Sequence, residues 1–284
     1  MKYQLKRKIF GKQNPEKITE INIPYKITDL CYSEENGFIF ISGPAIGTIK
    51  GDKVLYPIVG NANNHNYSVG VNTEFLYPSS ICCDKKMLYV TQNNFQSLVK
   101  VNLNDNRSME LFAGNNKAIN YGHMSKLRQN VSCKMVKINS QLIVSLAEIN
   151  KCIRFRDNVI EKFLGTGHGG YSVASDVGLS LLNGPKGLFN KDDKLYIADS
   201  NNNCIRSLSL SGKLELVVGH PLNKEISPTE VIVNNNYVFF VSNGNIYVTG
   251  KNTNSYSVFY SGITSNMSLG PEKGIYFLEK ENAI

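Results

Sequence analysis

The chain has 284 residues, 31 Lys+Arg against 23 Asp+Glu for a formal charge of +8, no Trp, six Cys and 23 Gly. That length makes one large domain or two small ones with ample core, and 42% hydrophobic with 10% aromatic residues excludes wholesale disorder and collagen-like classes. The longest apolar runs, such as VFFV at 238–241, fall far short of the roughly 18 residues a membrane-spanning helix needs.

The N-terminus, MKYQLKRKIFGKQNPEK, is charged with no apolar stretch behind it. It reads as neither a secretory signal nor an anchor, so a cytoplasmic site without membrane association is expected, unless the chain is a piece of a longer protein. Cys31, Cys82, Cys83, Cys133, Cys152 and Cys204 are scattered and form no CxxC pair, so buried free thiols are expected. Asn66, Asn106, Asn130 and Asn266 sit in N-x-S sequons, but 35 Asn supply such matches by chance.

In chain order, two strand-like runs come first, YQLKRKIF and EKITEINI. Five pairs follow: FIFIS (38–42) with YPIVG ending at Gly60, MLYVTQ (87–92) with ELFAG at Gly114, LIVSLA (142–147) with EKFLG at Gly165, KLYIAD (194–199) with ELVVG at Gly219, and YVFFVS (237–242) with VFYSG at Gly262. SNMSL and GIYFLE (274–279) close the chain. These runs are short, β-branched or aromatic, and bounded by Asn, Gly, Ser and Asp, as strands are. No long stretch has helical periodicity.

The first member of each pair is apolar at successive positions, so both of its faces must be covered. Blade packing in a propeller does that, whereas a two-layer sandwich wets one face of many strands. A repeat of roughly 40 to 50 residues with about four strands is the propeller period. The fold expected is all-β, a single six-bladed β-propeller over 1–284. Its four-stranded antiparallel blades fall near 24–60, 75–114, 130–165, 181–219 and 226–262, and 263–284 joins 2–23 in a closing blade shared between the chain ends.

The fourth repeat, LLNGPKGLFNKDDKLYIADSNNNCIRSLSLSGKLELVVG (181–219), resembles the NHL repeat family. The resemblance rests on Leu182, Asn183, Pro185, Gly187, the LYIAD strand end, Asn201, Asn202, Asn203, Ile205, Arg206, Val218 and Gly219, with GTGHGGYSVASDVGLSLLNGP (165–185) similar to that family's glycine-rich connection. It implies a propeller used mostly as a platform for proteins or RNA. It also leaves room for the family's amidating-lyase and more distant lactonase-like relatives. The absence of Trp agrees with an NHL-like propeller over a WD-type one.

At the position of Asp199 the other repeats carry Ser42, Gln92, about Ala147, Ser242 and Glu279. Asp199 with Asn202 is therefore expected to be a structural turn pair, the carboxylate accepting backbone N–H groups. All four histidines, His65, His123, His168 and His220, follow a blade-terminal Gly within nine residues. A zinc site built from them is the sharp reading; histidines tolerated in polar loops are the favoured one, since no HxH or HxxxH spacing occurs. Gly165, Gly167 and Gly170 satisfy GxGxxG, but a dinucleotide site needs a helix directly after the loop, and a turn is expected instead.

No catalytic residue, metal or cofactor is expected. The favoured function is a non-enzymatic scaffold, monomeric in isolation, binding a protein or peptide through its loop-bearing face, with binding residues His168, Tyr171, Asn201, Asn202 and His220. RNA binding on that face is the alternative, motivated by the charge. A metal-dependent lyase or lactonase ranks third. The N-terminal cations Lys2, Lys6, Arg7, Lys8, Lys12, Lys17 and Lys26 are expected on the outer strands of the closing blade, as a solvated edge.

Overall fold

The structure, a computed structural model, describes residues 2–61, 75, 78–92, 97–104, 109–114, 134–156, 159–172, 177–209, 211–251, 253, 255–262 and 264–280. It contains six four-stranded antiparallel sheets, the blades of a six-bladed propeller. By spatial proximity the chain divides into two compact units, Met1–Val131 with Ser265–Ile284, and Ser132–Thr264.

In the first unit, β1 (Lys2–Lys8) and β2 (Glu16–Asn22) join the C-terminal β23 (Thr264–Leu269) and β24 (Ile275–Lys280) in one sheet, ordered β2-β1-β24-β23. This is the expected closing blade. It is followed by β3 (Ile27–Ser33), β4 (Gly37–Ser42), β5 (Ala45–Lys50) and β6 (Lys53–Gly60), then by β7 (Pro78–Asp84), β8 (Met87–Gln92), β9 (Ser97–Asn102) and β10 (Met109–Gly114).

The second unit holds three blades. They are β11 (Met135–Ile138), β12 (Gln141–Leu146), β13 (Lys151–Arg156) and β14 (Val159–Leu164); β15 (Pro185–Lys191), β16 (Lys194–Asp199), β17 (Cys204–Leu208) and β18 (Leu214–Gly219); and β19 (Glu230–Val233), β20 (Tyr237–Ser242), β21 (Asn245–Gly250) and β22 (Tyr256–Ser261).

The second strand of each of these five blades carries the packing. In β4, β8, β12, β16 and β20 every residue after the first is buried. Because side chains alternate across a strand, one strand feeds two cores. Phe38 and Phe40 pack with Leu5, Ile27 and Leu278, while Ile39 and Ile41 pack with Ile81, Leu88 and Val90. In the other unit, Leu195 and Ile197 join Ile143 and Leu164, while Tyr196 and Ala198 join Val231 and Phe240.

Polar side chains fasten neighbouring blades where these cores end. Asp29 on β3, 1% exposed, accepts the Ser80 hydroxyl at 2.8 Å and the Ile81 N–H at 2.9 Å from β7. In the second unit the Ser200 hydroxyl donates to the Pro228 carbonyl and the Ser145 hydroxyl to that of Lys186. Lys134 pairs at 2.9 Å with Glu230, reaching from the start of one blade to the first strand of another.

The blade-terminal glycines have a geometric reason. Gly165 and Gly219 lie at φ +93° and +87°, and a Cβ there would stand 2.4 Å from the Asn150 carbonyl oxygen and 2.3 Å from that of Asn203. In these two blades the fourth strand thus ends against the turn between the second and third. Gly219→Ala combines left-handed strain with a backbone clash and is expected to lower unfolding free energy by about 2 kcal/mol or more, measured by denaturant titration.

Candidate functional site

In the fourth blade β16 ends on Asp199, and a one-turn 3-10 helix, Ser200–Asn202, carries the chain to β17. Asp199 and Arg206 are both 0% exposed. The carboxylate accepts the Asn183 N–H at 2.8 Å on one oxygen and the Asn202 amide at 2.8 Å on the other. The latter oxygen also stands 3.4 Å from Arg206 Nη1. Burial pushes the Asp199 pKa up, while the Asn183 N–H, the Asn202 amide and the Arg206 charge pull it back.

Arg206 directs two of its donors at the connection between β14 and β15, while its buried Nε has no hydrogen-bond partner among the described residues. Nη1 donates to the Leu181 carbonyl at 2.8 Å, Nη2 donates to the Ser172 carbonyl, and the guanidinium lies 4.7 Å over the Tyr171 ring. Asn202 also donates to the Gly170 carbonyl at 2.7 Å. The pair therefore ties a long connection to the blade it enters. The turn role expected for Asp199 is broader than expected, since its backbone donor is Asn183, ahead of the blade, and not a residue of its own turn.

Asparagines at the turns between second and third strands extend the same tethering across one end of the unit. Asn150 and Asn203, both at φ 54°, and Asn243, at φ 49°, occupy the left-handed region that Asn tolerates. Asn150 accepts the Gly184 N–H at 2.8 Å, Asn203 donates to the Pro221 carbonyl at 3.3 Å, and Asn243 donates to that of Glu225 at 3.4 Å. Ser227 closes the row, its hydroxyl donating to the Ser200 carbonyl at 3.3 Å. The third blade differs in one respect: Leu146 ends β12 as Asp199 ends β16, each followed by a 3-10 turn. The counterpart of Asp199 is thus Leu146, one residue before the Ala147 that sequence alignment indicates.

The residues expected to bind divide into two groups. Tyr171 is half-buried beneath Arg206, and Asn202 is buried with its amide committed to Gly170 and Asp199. His168, Asn201 and His220 are exposed. Asn201 reaches the Asn183 side-chain oxygen at 3.3 Å, and His220 Nδ1 accepts the Leu222 N–H at 3.2 Å.

Sequence reasoning passes over Leu222, which is 86% exposed. Its turn is fixed by the Asn223 N–H on the His220 carbonyl at 2.9 Å and the Glu225 N–H on the Asn223 side chain at 3.0 Å. Glu225 in turn accepts the Tyr256 hydroxyl at 2.7 Å, and burial together with that carboxylate pushes Tyr256 up to about 12.

His65, His123 and Cys133 lie outside the described residues. Among the described residues no group of three His, Cys, Asp or Glu is placed to hold a metal ion, and no helix is long and apolar enough to cross a membrane. The five described cysteines are free thiols; burial pushes Cys204 up to about 12 and Cys152 higher still, which disfavours the thiolate. After the glycine loop the next described helical turn is the 3-10 turn Val177–Leu179.

Three of the seven N-terminal cations pair with carboxylates: Arg7 at 2.5 Å with both Glu16 and Glu272, Lys6 with Glu279, and Lys17 with Glu20.

No protein-family model matches the chain, and no curated protein matches it. Solved structures do. A streptogramin B lyase is 13% identical, with a TM-score of 0.57 and 98% of each chain covered. A chain of the nidogen/laminin complex is 12% identical, with a TM-score of 0.59, covering 91% of this chain and 93% of that one. A gluconolactonase from Xanthomonas campestris is 9% identical, with a TM-score of 0.61, covering 90% and 86%. At such identities the likeness is one of fold, a six-bladed propeller shared by enzymes and binding domains alike.

Asp199→Asn keeps the shape of the side chain but leaves Arg206 buried without its counter-charge. A loss of about 3 kcal/mol or more in stability is expected, with faster amide exchange at Asn183 and across 177–184, checked by denaturant titration and hydrogen-exchange mass spectrometry.

Proposed function

We propose that the chain is a non-enzymatic, NHL-like binding platform that engages a protein or peptide through the connection-bearing end of the unit Ser132–Thr264. The observation that carries this reading is the His220–Leu222 turn. A large apolar side chain stands 86% exposed on backbone that four side chains, His220, Asn203, Asn223 and Asn243, hold by hydrogen bonds. A lone exposed leucine is ordinary; one on a pre-ordered turn is suited to recognition, because little conformational entropy remains to be lost on binding.

His168 and Asn201 offer hydrogen-bonding groups on the neighbouring connection and turn, the polar surround that an apolar contact residue ordinarily has. Tyr171 and Asn202 serve the platform from below by fixing the connection that carries His168. RNA is the weaker reading, because three of the N-terminal cations, Lys6, Arg7 and Lys17, are already paired with Glu279, with Glu16 and Glu272, and with Glu20.

Affinity capture from the source organism with the wild type and with Leu222→Asp tests this. The variant is expected to change stability by no more than about 0.5 kcal/mol and to weaken partner capture at least about tenfold, with capture surviving nuclease. Capture abolished by nuclease would transfer the function to RNA. No partner, together with turnover of a small molecule by metal-loaded protein, would replace this reading with the lyase or lactonase one.

A further inference from the structure

The unit Ser132–Thr264 contains a cleft of about 500 Å³ between the blade β11–β14 and the blade β15–β18. Residues beside the turns that join β11 to β12, β13 to β14, β15 to β16 and β17 to β18 line it. Its volume lies within the range typical of small-molecule sites. Its floor is apolar: Ile143, Leu195 and Leu208 are 2%, 2% and 4% exposed, and Phe163 is half-buried beside them.

Two arginines on β13 face this floor, two residues apart and so on one side of the strand. Arg154 is committed: its Nε donates to Glu161 at 2.8 Å and its guanidinium lies 4.9 Å over the Phe163 ring. The Arg156 side chain, half-buried, makes no hydrogen bond, ion pair or ring contact with any described residue. A guanidinium held against hydrocarbon, with its fork of donors unspent among the described residues, is matched by a carboxylate that can take two parallel hydrogen bonds. At the mouth Asp193 is exposed and likewise has no partner among the described residues.

We propose that this cleft binds a small apolar carboxylate, the carboxylate on Arg156 and the hydrocarbon body over Ile143, Phe163, Leu195 and Leu208. The site is separate from the Leu222 turn and does not depend on it. Two sources share this chemistry: a simple aryl or alkyl acid, and a zwitterionic dipeptide with apolar side chains whose ammonium would reach Asp193.

Calorimetric and NMR titration of the full chain with 4-phenylbutyrate, its uncharged amide 4-phenylbutanamide, and the dipeptide Leu-Phe tests the site. Acid is expected to bind at least about tenfold more tightly than amide. Arg156→Gln should bring the acid to the amide's affinity while leaving the amide unchanged. Asp193→Asn should tighten 4-phenylbutyrate, and a simultaneous loss of Leu-Phe binding assigns the dipeptide as the source. Equal affinity for acid and amide, undiminished acid binding by Arg156→Gln, or no binding of either carboxylate at millimolar concentration overturns the proposal. Partner capture through Leu222 should be unaffected by Arg156→Gln, so the two sites succeed or fail separately.

Discussion

The contact between Asp199 and Arg206 governs how the second unit presents its loops. Two charges at 0% exposure carry a desolvation cost that their mutual attraction alone does not reliably offset. The structure offsets this in part by surrounding them with committed partners: the Asn183 N–H, the Asn202 amide, two carbonyls of the incoming connection and the face of Tyr171, with Arg206 Nε left unpaired among the described residues. Every one of those partners except Asn202 belongs to the segment between β14 and β15. The electrostatic requirement of one blade is thereby the positional restraint on the connection that reaches it. A hydrophobic pair of equal volume would fill the same space without specifying where Ser172 and Leu181 must lie.

That arrangement explains why only some repeats need the full pattern. The third blade ends its second strand on Leu146 and keeps a 3-10 turn with a left-handed Asn150, so backbone geometry survives where the charge does not. The fifth reduces the device further, to Ser242 and Asn243, with the Ser242 hydroxyl accepting the Ser227 N–H at 2.8 Å. Asparagine is the common element because it tolerates φ near +50° and supplies a side-chain amide that reaches the adjoining connection.

The fold was largely legible because its signal is local. Runs such as YVFFV admit no dry and wet face, and the blade-terminal Gly60, Gly165 and Gly219 mark backbone approaches of 2.3 to 2.6 Å that a Cβ forbids. The shared closing blade followed from counting strands. The site was legible only where sequence neighbours cooperate: Asp199, Asn202 and Arg206 fall within one short stretch, so their interdependence shows as a pattern. Leu222 gave no signal, since a leucine in a polar loop reads equally well as an anchor turned inward. The cleft at Arg156 gave none either, because its walls come from residues between 138 and 212 that meet only when two sheets pack. Whether an arginine is paired depends on that packing and not on its neighbours in sequence.

The sheet that joins both ends of the chain has a consequence for synthesis. Tyr3 pairs with Lys280 and Lys8 with Ile275, so during synthesis β1 must wait for β24, which is made after the five intervening blades. Until then β1 can pair only with β2 in an isolated hairpin, a marginal structure in water, and its other edge is open to foreign strands. The cations spaced along it, Lys2, Lys6, Arg7 and Lys8, are therefore of use before folding is complete. They disfavour adhesion of the nascent segment to other nascent copies, and Glu279, the carboxylate partner of Lys6, arrives only with the strand that ends the wait.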